Sequence, residues 1–147
     1  MFSRRNKASV GMGECSKVSR VGGLVDDEKF RPDHSQYVCE DADFEGHFKQ
    51  GCIIYSFGIK DNWDFENTTA SKGCKVFVYD SYVKQKPENL ASNVYFFQQG
   101  LGAKNEIKLV LNEEVQFSTL DQIITTNNHK KSFISYIKIN LDGEEWQ

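Results

Sequence analysis

Two residues of this sequence have the type and spacing to grip a nucleoside. Gly58 follows directly on an apolar, β-branched and aromatic run, Cys52-Ile-Ile-Tyr-Ser-Phe57, and Asp80 closes a second such run, Cys74-Lys-Val-Phe-Val-Tyr79. A glycine just past a strand leaves the backbone open to close approach by a ligand. An acidic residue about twenty positions further on is where nucleoside-binding strand–helix–strand units offer a carboxylate to ribose hydroxyls, and here the interval is 22 residues. Alone, each is an ordinary turn or cap; together, inside one unit, they point to nucleoside binding. A dinucleotide would need three glycines so that backbone N–H groups could crowd round its pyrophosphate. Gly58 stands alone, and Asp61 and Asp64 in the following turn would repel phosphate. A nucleoside that carries positive charge and no phosphate is the better guest.

The elements that must position these groups follow from the apolar pattern. The run 52–57 is a buried strand bounded by Gly51 and Gly58. Asp64 is expected to cap a short helix, with Glu66 in its first turn and Gly73 just past its end. The run 74–79 then gives a second strand, parallel to the first, within a unit of about thirty residues. Residues 81–93, broken by Pro87, are expected to hold one or two helical turns before a third strand at Val94-Tyr-Phe-Phe97. Ile107 to Leu111 adds a brief extended segment. Ser118-Thr-Leu-Asp121 resembles a capping box, which starts a helix over about 119–126. Phe133 to Ile139 reads as a fourth strand. Strands alternating with helices define an α/β fold with a doubly wound parallel sheet, whose ligands bind beyond the carboxyl ends of the strands. Residues 1–45, polar and turn-rich, read as an irregular N-terminal arm in which Val21, Leu24 and Val25 are the one apolar stretch; residues 46–147 carry the domain.

Composition bounds the partners. The chain has 147 residues, 39% of them hydrophobic and 13% aromatic, which suits one folded core. A net charge of −3 supplies no basic field for a phosphate backbone, so nucleic acid is not an expected partner. No run of eighteen apolar residues can span a membrane, and the N-terminus lacks the apolar core of a secretory signal. The expectation is a cytoplasmic location for the chain as it stands, or the secretory pathway if a signal or anchor lies upstream. Cys15, Cys39, Cys52 and Cys74 form no C-x-x-C pair, which leaves two disulfides or four thiols open, with three possible pairings.

Other chemical residues carry weaker signals. His34, His47 and His129 have no ligand spacing and read as surface residues, so no metal is expected. Trp63 and Trp146 flank the two loops of the site, where an indole can stack on adenine, although packing is the commoner use of a tryptophan. Gln98-Gln-Gly-Leu-Gly102 lies where an adenine-contacting loop would follow the third strand, and its plain reading is a glycine turn.

The segments 52–59, Asp64-Phe-Glu66, Gly73 to Asp80 and Ile137-Lys-Ile-Asn-Leu-Asp-Gly-Glu-Glu-Trp146 resemble, in order and spacing, a methyltransferase-like domain family of animal proteins related to FkbM-type methyltransferases. The likeness covers about residues 15–147 and includes Val21-Gly-Gly23. It implies a class I methyltransferase, a Rossmann-like parallel sheet, with S-adenosylmethionine as cofactor. Ser56, Phe57, Gly58, Asp80 and Asn140 are then the cofactor-binding set, with Asp80 at the ribose. Two departures stand out. Asn140 occupies the place of an aspartate, which removes an anionic acceptor and leaves Asp142 and Glu145 as acidic candidates. Fewer than 100 residues from Gly51 onward hold four core strands rather than seven, so the expectation is a fragment, a sheet truncated after its fourth strand.

The reaction expected is direct methyl transfer to an unknown acceptor by positioning, with no covalent intermediate on the protein and no nameable base. The alternative is a non-catalytic nucleoside-binding or interaction remnant of the same fold. A nicotinamide or flavin oxidoreductase shares the strand–helix–strand frame and Asp80, and lacks the glycines.

Overall fold

The computed structural model describes residues 9–10, 13–14, 16–22, 36–39, 51–60 and 62–141. Cys15, Leu24, Val25, His34, His47, Asp61, Asp142, Glu145 and Trp146, weighed above, lie outside the described residues. Two short antiparallel pairs come first: β1 (Ser9–Val10) with β2 (Gly13–Glu14), and β3 (Val18–Val21) with β4 (Gln36–Cys39). The stretch expected to be irregular thus contains strands, too short for an alternation to show. Val21 and Val38 are buried, and Gly22 lies against the Phe65 backbone, which binds this pair to the main core.

That core is a four-stranded parallel sheet in the order β11 (Ile134–Ile139), β5 (Ile53–Phe57), β6 (Lys75–Asp80), β7 (Val94–Gln98). Strand alternation sorts its side chains onto two faces. Ile54, Val76, Val78 and Val94 face helix α1 (Asp64–Ser71), whose Phe65 and Ala70 complete the first cluster. Tyr55, Phe57 and Tyr79 face the other way and meet Ile123 of α2 (Leu120–Thr126). Burial on both faces is why β5 reads as one continuous apolar run. A bulge between Ile134 and Tyr136 resets β11 so that Tyr136 pairs with Ile54 and Lys138 with Ser56, on the α1 face.

Local signals were close to where the chain puts them. The helix begins at Asp64 itself, and the cap is supplied by Asn62, whose Oδ1 accepts from the Asp64 N–H at 3.0 Å. Thr119, not Ser118, caps α2, accepting from the Gln122 N–H at 3.2 Å. Residues 81–93 contain turns and no helix. There the Asn93 amide donates to the Ala70 and Cys74 carbonyls, tying the segment down at the foot of β6.

Beyond β7 a second, smaller sheet runs β8 (Gly100–Leu101), β10 (Glu113–Ser118), β9 (Glu106–Val110), with β10 parallel to β8 and antiparallel to β9. A disulfide joins Cys52 to Cys74 (Cα–Cα 4.6 Å) at the amino ends of β5 and β6, and Cys39 is disulfide-bonded as well.

Candidate functional site

The carboxyl ends of β5, β6 and β11 meet in a cavity of about 220 Å3, lined among others by Gly58, Tyr79, Asp80, Gln99, Leu101 and Asn140. Its place is informative. Strand order reverses between β5 and β11, because β6 and β7 lie on one side of β5 and β11 on the other, and such a switch point opens the crevice in which open α/β sheets bind ligands.

Gly58 and Asp80 share this crevice and are linked through the chain. The Gly58 N–H donates to the Tyr79 carbonyl at 3.0 Å. Asp80 is 6% exposed and its carboxylate is held by backbone donors: Oδ2 accepts from Ile59 N at 2.9 Å and Lys60 N at 3.5 Å, Oδ1 from Tyr82 N at 2.8 Å and Val83 N at 2.9 Å. Charge-assisted bonds of this kind satisfy a buried anion without a cation. They also fasten the turn after β5 to the turn after β6. A carboxylate has about four acceptor sites. Three are taken at ordinary length; the fourth, facing Lys60, is longer than a normal N–H···O bond.

Gly58 lines the cavity and also serves the sheet. With φ +74°, it leaves no room for a side chain: a Cβ would overlap the Asn140 carbonyl oxygen and come within 2.9 Å of its carbon. The space left by the missing side chain is filled by the end of β11, whose Asn140 N–H donates to the Phe57 carbonyl at 2.9 Å. The glycine thus brings β11 up to β5 and sets Asn140 on the cavity wall.

Ser56 and Phe57 precede this turn, and their side chains leave the site by strand alternation. Ser56 Oγ donates to Glu66 Oε1 at 2.5 Å on the α1 face; the Phe57 ring stacks on Tyr79 at 5.4 Å on the α2 face. Neither side chain is on the cavity wall. Trp63 is 8% exposed and packs edge-on against Phe96, in the core. The segment expected as a glycine turn does reach the cavity: Gln99 lies just before β8, and Gly100 and Leu101 form it. Gly100 has no side chain there because the Phe117 ring occupies the space. Phe117, Tyr82 and Leu141 also line the cavity and were not anticipated; Phe117 had a signal in the alternation of Val115 and Phe117 with charged or polar neighbours in β10.

Two polar networks support the site from behind. Lys138 donates to Glu66 Oε1 at 2.9 Å, with Glu66 fully buried and Lys138 7% exposed. This pair, shared with Ser56, locks β11 to α1 two residues before Asn140; Glu66 Oε2 has no partner among the described residues. On the opposite face the Asn127 amide donates to Tyr55 Oη at 3.1 Å and Tyr79 Oη at 2.7 Å, and Tyr55 Oη bonds His129 Nδ1 at 2.7 Å. Burial pushes the Tyr79 phenol up to about 12 and raises Tyr55, while burial and the Lys75 charge lower His129. The network is therefore uncharged at neutral pH, and Tyr79 keeps its proton. His129, expected at the surface, is half-buried because α2 ends over the aromatic face and sets the imidazole edge-on to Phe77 at 4.8 Å.

The residues fit one kind of nucleoside better than another. In a dinucleotide site the first amides after the strand point at pyrophosphate; here the Ile59 and Lys60 amides point at Asp80. Among the described residues that line the cavity, Asp80 is the one carboxylate and Lys60 the one cationic side chain. The arrangement suits a ligand that offers hydroxyl donors and carries no pyrophosphate.

A parallel sheet with its cavity at the switch point defines a Rossmann-like α/β ligand-binding fold. A sequence family described as a methyltransferase domain matches residues 12–147, nearly the whole chain, and the protein belongs to that family. No curated protein and no solved structure matches it. No helix among the described residues is long and apolar enough to cross a membrane.

Proposed function

We propose that the protein is an S-adenosylmethionine-dependent methyltransferase whose cofactor occupies the cavity between Gly58, Asp80 and Asn140. The observation that carries this reading is the convergence of those three residues at the switch point of a sheet belonging to a methyltransferase family. Asp80 would take the ribose through Oδ2 while keeping the two turns in place, and Asn140 and Gln99 would offer neutral amides on either side. Bound there, the cofactor supplies an electrophilic methyl group. The chain's own part is to position the partners and exclude water. The narrower kinship with FkbM-type enzymes rests on the segment from Ile137 to Trp146.

Titration calorimetry with S-adenosylhomocysteine tests the reading. Saturable binding is expected, with NAD giving none, and Asp80→Ala weakening the interaction while circular dichroism still reports a folded chain. Absence of saturable binding by the wild-type protein refutes the cofactor assignment; unchanged affinity in a folded Asp80→Ala protein removes Asp80 from the site.

A second reading, a nucleoside-binding protein without catalysis, is favoured by Asn140 and by the way backbone amides engage the Asp80 carboxylate. Methyl transfer by this chain to any acceptor would overturn it. The Cys52–Cys74 bridge and the bonded Cys39 support folding in an oxidising compartment, the secretory pathway rather than the cytosol. Thiol alkylation of protein taken from its native compartment tests this, since complete labelling of Cys52 and Cys74 before reduction would contradict it.

A further inference from the structure

The β8–β10–β9 sheet forms the wall of a second cavity, about 470 Å3, which adjoins the first: Tyr82, Leu101 and Phe117 line both. A molecule in the second cavity therefore reaches the mouth of the first past a common apolar threshold. We propose that this second cavity is the methyl-acceptor subsite and that it takes a small acid with a flat, apolar body. The proposal rests on the cofactor reading above for the word acceptor, and on the cavity itself for the chemistry of the guest.

Charge is the first observation. Lys104 and Lys108 lie on the wall with a single carboxylate, Glu106, which serves both, Oε2 at 3.1 Å from Lys104 Nζ and Oε1 at 3.5 Å from Lys108 Nζ. The lysines lower the Glu106 carboxyl below its usual range, so it is ionised at neutral pH. Two ammonium groups against one carboxylate leave one positive charge in excess, in a protein whose net charge is −3. An anionic guest is drawn to this wall against the average field of the molecule.

Apolar exposure is the second. Leu109 is 76% exposed and Tyr82 57% exposed, yet both border the cavity beside Leu101, Val110 and the Phe117 ring. Apolar side chains left open around a concavity, with a few polar groups among them, characterise a ligand pocket rather than a surface in contact with water alone. Lys108 Nζ stands 4.7 Å from the centre of the Phe117 ring, which holds the ammonium beside the apolar part of the wall. A flat acid finds both of its needs met.

The probes are 4-hydroxycinnamate and its neutral amide, titrated into 15N-labelled full chain and followed by amide shifts. Saturable shifts for the acid are expected over 101–110 and at Phe117, with the neutral amide binding at least about fivefold more weakly. The double variant Lys104→Gln/Lys108→Gln, at two well-exposed positions, should abolish that preference and leave the β5–β7 signals in place. Equal affinity for acid and amide, shifts located elsewhere, or a preference that survives the double variant would each overturn the subsite. A parallel titration with S-adenosylhomocysteine, read at Gly58, Asp80 and Asn140, separates the two ideas. If it fails while the acid binds as described, the cofactor reading falls and the anion subsite stands; the reverse result sinks only the subsite.

Discussion

Gly58 and Gly51 form a matched pair that isolates the contact holding the site together. Both have left-handed backbones, φ +74° and +76°, but a Cβ on Gly51 would meet nothing within 4 Å, whereas one on Gly58 would run into the Asn140 carbonyl. Gly51→Ala therefore costs the conformational term alone, about 1 kcal/mol. Gly58→Ala carries that term, the displacement of β11 at about 1–3 kcal/mol for an overpacked interior, and the weakening of the Asn140–Phe57 backbone bond, about 1 kcal/mol. The sum is about 3–5 kcal/mol, a large part of the ~5–15 kcal/mol that stabilises an ordinary domain. Urea unfolding followed by circular dichroism measures both variants against wild type, with equal m-values required for the comparison. The expected gap between them is about 2–4 kcal/mol by the same reasoning. Costs equal to within about 0.5 kcal/mol, the usual scatter of an additive comparison, would refute the idea that β11 closes onto Gly58.

Three other outcomes follow from the same geometry. Converting Cys52 and Cys74 to serine opens a loop with a sequence separation of 22 and should lower stability by about 3 kcal/mol, read as a fall in Tm; no change would show the bridge to be dispensable. Lys138→Met strands Glu66 as a buried charge and should cost about 3–5 kcal/mol in urea unfolding. Adding Glu66→Leu should recover much of that, and a single-variant cost below about 1 kcal/mol would contradict the buried pair. Tyr79, with its phenol raised from 10.0 to about 12, contributes stability that is complete below pH 10 and lost as pH rises toward 12, because the unfolded chain ionises first. Tyr79→Phe should flatten the decline in Tm over that window, and an unchanged slope would remove Tyr79 as its source.

The legible part of the fold was the part governed by burial on two faces. Continuous apolar runs at 52–57 and 74–79 mark interior parallel strands without ambiguity, and the glycine and aspartate that end them are set by strand geometry, so their meeting at one rim followed from spacing. The small sheet was harder. Its hairpin turns at Leu111 and Asn112, both left-handed, and leucine is a residue that hides such a turn from inspection. Leu101 and Phe117 meet at the cavity because β8 pairs with β10, a contact between segments with no local sign of each other. Gly58 shows a related limit: a missing side chain signals a close approach, and only the sheet order shows that β11 is among what approaches, with the glycine still on the cavity wall.

The disulfide grips β5 and β6 at their amino ends, while Gly58 and Asp80 stand at the opposite ends of the same strands. Five residues of strand at about 3.3 Å each put some 16 Å between sulfur and cavity. Oxidant and reductant thus act on the footing of the sheet, and ligand measurements can be run in thiol-containing buffers with only the thermal margin of the protein at stake. An effect of reduction on affinity that exceeds its effect on folding would reveal that the two ends of the sheet communicate.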